Sequence, residues 1–314
     1  MTFIDAPANF YIGRLYNPAT DEILKDEIVY YDSRDLTTHG LVLGMTGSGK
    51  TGLCITLLEE AILDGIPALV VDPKGDIGNL LLNFPEFRPA DFEPWISEDE
   101  AQRKGNDIPT QAAKTAEQWK AGLADWGITP ERMERLKRAA DYAIYTPGST
   151  SGLPVSILAS LRAPREGFAG NEEPLREQIA GTVTAILSLV GVSAEPLKDP
   201  EHVLLANIFE HNWRAGQDLT LETLITQVQE PPFEKLGVLP VEQYFPKKDR
   251  FALAMALNNV VASPSFSAWL EGVPMDIQSL LYTPEGKPRV SIFYTAHLND
   301  TERMFVMTLI LESL

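Results

Sequence analysis

The apolar positions of the chain occur either in short continuous runs or in stripes at helical spacing. An apolar run at 41–43 (LVL) is followed by a segment with apolar residues at Leu53, Leu57, Leu58, Ala61 and Ile62. This i, i+4 spacing predicts a helix packed on a sheet. Gly65 interrupts the helical pattern, and a second apolar run, ALVVD, follows at 68–72. Because continuous apolar runs are typical of parallel strands covered on both faces, the segment predicts strand, helix and strand in one βαβ unit.

The pattern over the whole chain predicts an α/β protein whose sheet is flanked by helices. We divide the chain into a small β-rich N-terminal lead-in (1–38), the βαβ core (39–82), an irregular and helical insert (83–140), a core strand with its connection (141–160), a mostly helical subdomain (161–286) and a core strand with a helix (287–314).

Residues that begin and end helices support this division. In the insert, Gly127 ends one helix and Thr129 caps the next. Thr220 is placed to cap a helix of the helical subdomain. Asn299 and Glu302 have the spacing of a capping box, which predicts the start of the last helix.

Charge and composition limit the functions that the chain can have. The formal net charge is −18, whereas a protein that wraps nucleic acid with its outer surface usually carries a basic face. Any DNA contact must therefore be local or lie outside this chain. The single cysteine, Cys54, excludes an intrachain disulfide, and no apolar run reaches the ~18 residues of a membrane span, so we expect a cytoplasmic protein without a membrane segment. Four histidines without metal-ligand spacing are expected to be structural or surface residues: His39, His202, His211 and His297.

A glycine-rich loop lies between the first apolar run and the predicted helix. GMTGSGKT at 44–51 matches G-x-x-x-x-G-K-[ST] at every fixed position. The glycines let backbone N–H groups turn toward phosphate oxygens, and the positive end of the helix dipole adds to that field. Lys50 brings a catalytic cation to the phosphates, and the Thr51 hydroxyl can hold Mg²⁺. The loop predicts binding of ATP with Mg²⁺ through Gly44, Met45, Thr46, Gly47, Ser48, Gly49, Lys50, Thr51 and Gly52.

Hydrolysis requires a further acidic residue, at the end of another apolar strand, that holds Mg²⁺ and orients water. Asp72 ends the run ALVVD and is a candidate by pattern. The strand expected at 289–296 is followed by His297 and has no carboxylate at its tip. Nowhere do four apolar residues precede Asp-Glu. The sequence thus contains the phosphate loop but no clear acidic residue for hydrolysis.

Two motifs together resemble the HerA/FtsK superfamily of P-loop motor ATPases, and within it the bacterial HerA-like DNA translocases and helicases. These motifs are HGLVLGMTGSGKTG at 39–52 and ALVVDPKGDIGNLL at 68–81. The resemblance extends over most of the chain, but only these two motifs are specific. It implies a RecA-like P-loop NTPase sheet, usually in a hexameric ring with DNA threaded through it. An acidic exterior is compatible with such a narrow channel.

The resemblance also changes the interpretation of Asp72. In that family the Walker B strand, apolar residues and then Asp-Glu, directly follows a helix like the one expected at 301–314. We therefore expect the chain to be the N-terminal part of a longer protein that binds nucleotide here with little or no hydrolysis. Asp72 would then belong to a second-strand motif beside the nucleotide site. The alternative is a strand-end turn, in which Pro73 and Gly75 set the chain direction.

The insert carries a basic run that invites a nucleic-acid interpretation. Acidic Glu131 and Glu134 interleave with the basic residues at helical spacing, which favours a solvated charged face. The residues concerned are Trp119, Trp126, Arg132, Arg135, Lys137 and Arg138.

Three functions are compatible with the sequence. The first is an ATP-driven motor that translocates DNA as a homo-oligomeric ring. The second is a secretion-type coupling ATPase that pumps protein and shares the fold. The third is a nucleotide-gated scaffold for an effector such as a nuclease.

Overall fold

The computed structural model describes residues 4–6, 8–156 and 161–314, so parts of the predicted lead-in (1–3 and 7) and of the predicted connection (157–160) lie outside the described residues. The protein is mixed α/β, with a parallel sheet and helices. The strands are β1 (Asn9–Asn17), β2 (Glu22–Asp32), β3 (Ala68–Asp72), β4 (Asp141–Tyr145), β5 (Val155–Ser156), β6 (Lys235–Leu236), β7 (Leu239–Pro240), β8 (Val273–Pro274) and β9 (Arg289–Tyr294). The helices are α1 (Lys50–Leu63), α2 (Pro89–Phe92), α3 (Glu98–Arg103), α4 (Ile108–Asp125), α5 (Pro130–Ala139), α6 (Glu172–Leu189), α7 (Pro200–Arg214), α8 (Leu221–Gln229), α9 (Val241–Tyr244), α10 (Lys247–Val261), α11 (Ile277–Leu281) and α12 (Asp300–Ser313).

The chain folds into two compact units. The first contains the residues up to Leu69 together with Asp76–Tyr142 and Leu281–Val290. The second contains Val70–Gly75, Ala143–Leu280 and Ser291–Leu314. The six-segment division drawn from the sequence stays a prediction.

The first unit begins with an antiparallel hairpin. Strands β1 and β2 pair from Asn9 opposite Asp32 to Asn17 opposite Glu22. The turn-prone sequence NPATD separates these two segments, which are rich in β-branched and aromatic residues. The hairpin packs on α1 through β1.

A buried polar centre fixes α1 against β1 and α5. The Glu60 carboxylate accepts a hydrogen bond from the Tyr11 backbone N–H at 3.1 Å and a second from the Arg132 guanidinium. Glu60 and Arg132 are both buried. Removing one partner of such a pair typically costs about 3–5 kcal/mol, because the remaining charge is left buried and uncompensated.

Helices α4 and α5 form the predicted helical hairpin. Asp107 caps α4 by accepting from the Thr110 N–H at 2.9 Å, and Thr129 caps α5 by accepting from the Arg132 N–H at 3.2 Å. Gly127 lies between the helices with φ +78°, a conformation that favours glycine after a helix. Helix α4 packs on α2 around an apolar cluster formed by Phe84, Phe87, Phe92, Ile96, Ala112 and Ala116.

The second unit has a helical core. Helices α6, α7, α8 and α10 bury its largest apolar cluster, which includes Ile179, Val183, Leu204, Leu205, Ile208, Phe209, Leu224 and Leu253. Helix α12 packs on α6 and begins with the predicted capping box: Asn299 accepts from the Glu302 N–H at 2.9 Å, and the Glu302 carboxylate accepts from the Asn299 N–H at 3.0 Å.

The sheet has the strand order β3–β9–β4. In the middle strand, Val290, Ile292 and Phe293 are at most 1% exposed, which explains the continuous apolar run of that segment.

The strand predicted at 41–43 is wrong. These residues form no regular element, and Leu41 and Leu43 are each 81% exposed. A short apolar run becomes a strand only when a neighbour takes up its N–H and C=O groups, and among the described residues the three-stranded sheet contains only β3, β9 and β4. The first strand of the predicted βαβ unit is therefore missing, whereas the helix and the second strand are present as α1 and β3.

Candidate functional site

The glycine loop forms a tight, solvent-exposed turn. The Ser48 N–H donates to the Met45 carbonyl at 3.2 Å. A Cβ atom at Gly44 would lie 2.3 Å from Ser48 Oγ, so the close approach of these two residues requires glycine. Gly47 and Gly49 have φ values of +79° and +86°. The loop therefore depends on residues without side chains, as the motif predicted.

Helix α1 begins directly after this loop, at Lys50. Its N-cap residue, Gly49, has no side chain to accept from the first-turn N–H groups, and the first turn contains no acidic residue. The unpaired N–H groups of a helix start carry a partial positive charge and bind anions. A helix start that has no side-chain cap and no acidic residue in its first turn suits a phosphate ligand.

Lys50 and Thr51 occupy the first two positions of α1 and face different groups. The Lys50 Nζ donates to the Met45 carbonyl at 2.6 Å, which holds the ammonium over the glycine loop. The Thr51 Oγ1 donates to Asp76 Oδ2 at 3.0 Å. A hydroxyl and a carboxylate are hard oxygen ligands of the kind that Mg²⁺ prefers, and Mg²⁺ usually takes only one or two protein ligands beside phosphate oxygens. The residues present therefore fit a magnesium nucleotide.

Asp72 is placed at the end of β3, where it shapes a turn. The residue is buried, and its Oδ1 accepts from the Gly75 N–H at 2.7 Å and from the Lys74 N–H at 3.2 Å. Gly75 has φ +79°, and a Cβ there would meet the Tyr294 ring at 2.3 Å. Of the two interpretations of DPKGD, these contacts match the strand-end turn. A role for Asp72 in binding nucleotide stays a prediction.

Asp76 is the residue that the sequence reasoning missed. It ends the DPKGD motif and is joined to Thr51 by a hydrogen bond. The signal was available in the sequence, because the motif contains two aspartates. Asp72 was favoured because it ends a strand. Its carboxylate, however, accepts hydrogen bonds from backbone N–H groups of the turn between the two aspartates.

The basic residues of the insert differ in how far they are buried. Arg132 is 7% exposed and paired with Glu60, so it is not part of a solvated face as predicted. Arg135 and Arg138 are exposed and pair with Asp5 and Glu134. The reason for the difference is the position of Arg132 on the α5 face that packs against α1.

His202 is an internal residue of the second unit. Its Nε2 lies 3.2 Å from both Thr184 Oγ1 and the Ala180 carbonyl, and burial lowers its pKa. His297 Nε2 donates to the Pro147 carbonyl at 2.9 Å. These two histidines are thus used in internal hydrogen bonds.

A glycine loop that opens a helix at a lysine, with a hydroxyl–carboxylate pair beside it, defines the class of P-loop nucleotide-binding proteins. Within this class the chain belongs to the helicase HerA central domain family, whose profile matches residues 10–248. This family is one of HerA/FtsK-type P-loop ATPases.

Over a shorter stretch the chain is also similar to an individual protein. Over 50 residues the chain is 40% identical to the type 4 coupling protein DotL of Legionella pneumophila subsp. pneumophila (strain Philadelphia 1), which covers 16% of this chain and 6% of DotL. No solved structure matches the chain. Within the described residues, no helix combines the length and the apolar character needed to cross a membrane.

Proposed function

We propose that this chain is the ATP-binding part of a HerA-type motor with a RecA-like core, and that residues 44–52 bind the phosphates of ATP with Mg²⁺. The observation that carries the proposal is the position of Lys50 Nζ, 2.6 Å from the Met45 carbonyl of the loop itself. The ammonium is already held where a phosphate oxygen could replace the carbonyl as its partner. The family match over residues 10–248 supports the same conclusion.

In this proposal the other residues have distinct roles. Thr51 and Asp76 hold Mg²⁺ from the protein side. Asp72 sets the turn that leads to Asp76, through its hydrogen bonds to the N–H groups of residues 74 and 75. The uncapped start of α1 stabilises the negative charge of the phosphates.

We infer that binding exceeds hydrolysis in this chain. In the described sheet only β3 ends in a carboxylate, that of Asp72, and its Oδ1 is used by two turn amides. Strand β9 ends at Tyr294 and is followed by Thr295. A second carboxylate positioned to orient water is needed for rapid turnover.

The phosphate site is tested by changing Lys50. Loss of a hydrogen bond to a charged group costs about 1.5–3 kcal/mol, so Lys50→Ala should weaken binding of MgATP by roughly 10- to 100-fold. Titration calorimetry measures this change, and Lys120→Ala on α4 is the matched control. Phosphate release by the unchanged chain, followed in the same samples, should stay at background. Equal ATP affinity in Lys50→Ala and the control would sink the proposal.

We further propose that the motor moves DNA through a ring of subunits, since an acidic chain with a net charge of −18 can admit DNA only in a localised channel. The similarity to DotL favours a second candidate, a coupling protein with a protein cargo.

Fluorescence anisotropy of labelled duplex DNA distinguishes the DNA motor from the protein-coupling candidate. The DNA motor predicts binding that increases with MgATP and is lost in Lys50→Ala. No binding at low salt, with or without MgATP, would favour the protein cargo.

A further inference from the structure

A cavity of about 650 Å³ lies inside the first unit, beside α1. Helices α4 and α5 and the segment at 79–96 complete its walls. Its volume is within the range of about 300–1,000 Å³ typical of small-molecule sites. Aromatic side chains provide much of the lining, namely Phe84, Phe87, Phe92, Trp95 and Trp119.

The cavity adjoins the residues that directly follow Lys50. Thr51 and Gly52, the second and third residues of α1, line one part of it, and Glu59 of the same helix lines another. Eight residues of helix separate Thr51 from Glu59, which is ~12 Å at the usual rise of an α-helix. A nucleotide held by its phosphates at the loop spans a similar length.

Two buried polar atoms in the lining residues have no hydrogen-bond partner. Asn83 donates through Nδ2 to the Met133 carbonyl at 2.9 Å, but its Oδ1 is buried and unpaired. Arg132 pairs with Glu60 through its Nη2, but its Nε is buried and unpaired. Both atoms are enclosed within the protein, so they add no exposed polar surface to the cavity wall.

The lining contains two ionisable side chains, Glu59 and Arg132. Burial raises the pKa of the Glu59 carboxyl to about 7, although the Arg132 charge opposes the shift. Trp95 and Trp119 are 60% and 54% exposed, so their rings are open to solvent and to an entering ligand.

We infer that this cavity holds the purine base of the nucleotide whose phosphates bind at Lys50. The inference rests on the proposed function, and it assigns base recognition to the aromatic residues of the insert. A purine presents flat apolar faces for stacking and both donors and acceptors at its edge.

The test compares MgATP with magnesium tripolyphosphate, which has the phosphates but no base. Trp119→Ala should weaken ATP binding about tenfold in calorimetry, because base–aromatic stacking contributes that much, and should leave tripolyphosphate binding unchanged. Trp119 is exposed, so its truncation leaves the fold intact. Trp126→Ala is the control, since Trp126 is a partly exposed tryptophan of the same region that does not line the cavity.

Either of two results for Trp119→Ala would overturn the inference: unchanged ATP affinity, or an equal loss for both ligands. A failure of the phosphate site is a different result, in which Lys50→Ala changes the affinity for neither ligand.

Discussion

Glu59 and Glu60 are neighbours on α1 with different surroundings. Burial is the largest influence on both, and it raises the pKa of each carboxyl. For Glu60 the hydrogen bonds from Tyr11 and Arg132 oppose this effect. Glu59 lines the cavity instead and has a pKa of about 7. One step along a helix therefore separates a carboxylate held in an ion pair from a carboxyl that titrates near neutral pH.

The pKa of Glu59 makes the stability of the fold depend on pH. Because its pKa of about 7 in the folded chain exceeds the ordinary 4.5, the folded state binds the proton more tightly than the unfolded state. This contribution is complete below the ordinary pKa and is lost as the pH rises through the folded-state value. The loss is on the order of 3 kcal/mol. We expect Glu59→Gln to lose less unfolding free energy between about pH 5 and about pH 8 than the unchanged chain does.

Urea unfolding at the two pH values measures this difference. The groups that act on Glu59 are Arg132, which lowers its pKa, and Glu60, which raises it. Tyr142 also lies near, and burial together with Glu59 raises its pKa to about 12. Glu117→Gln, an exposed change on α4, serves as the control. The same pH dependence in Glu59→Gln and in the control would contradict the assignment.

At the scale of elements, the sequence predicted the features that depend only on residues close together in the chain. Thr129, Thr220 and Asn299 cap the helices that they were expected to cap, because a cap requires only a side chain and an N–H group two or three residues away. The apolar stripe of α1 was less informative. Ile62 is fully buried, whereas Leu53 is 37% exposed, because burial depends on which elements cover the helix.

The pairing of β5 with β8 provides an element-scale test. Gly272 precedes β8 with φ +104°, and a Cβ there would lie 2.0 Å from the Pro154 carbonyl oxygen. Gly286 also has positive φ, at +81°, but has open space around it. Gly286→Ala should cost about 1–2 kcal/mol for the left-handed backbone alone. Gly272→Ala should cost more, since a backbone atom must also move. Thermal unfolding compares the two, and equal losses would show that the Pro154 contact is unimportant.

At the scale of the whole molecule, the sequence could not show which distant residues meet. Glu60 accepts from Tyr11 across 49 positions and from Arg132 across 72. The helical spacing of the basic run correctly placed Arg132 on a helix, but not on the face that is buried. The cavity is lined by residues between Thr51 and Leu136, and no local pattern joins them. The glycine loop was predictable because its own turn is closed by near neighbours, Ser48 and Lys50 with Met45, whereas the contact of Thr51 with Asp76 spans 25 positions.

The irregular backbone at 41–43 has a consequence for the energetics of nucleotide binding. Fixing a residue in one backbone conformation costs about 1–2 kcal/mol of entropy, and these residues lead directly into the phosphate loop without a strand to hold them. The conformation of 41–43 is therefore not fixed by pairing with a neighbouring strand. A polypeptide that paired with 41–43 as a strand would preorganise the site and raise its affinity for ATP without touching the nucleotide.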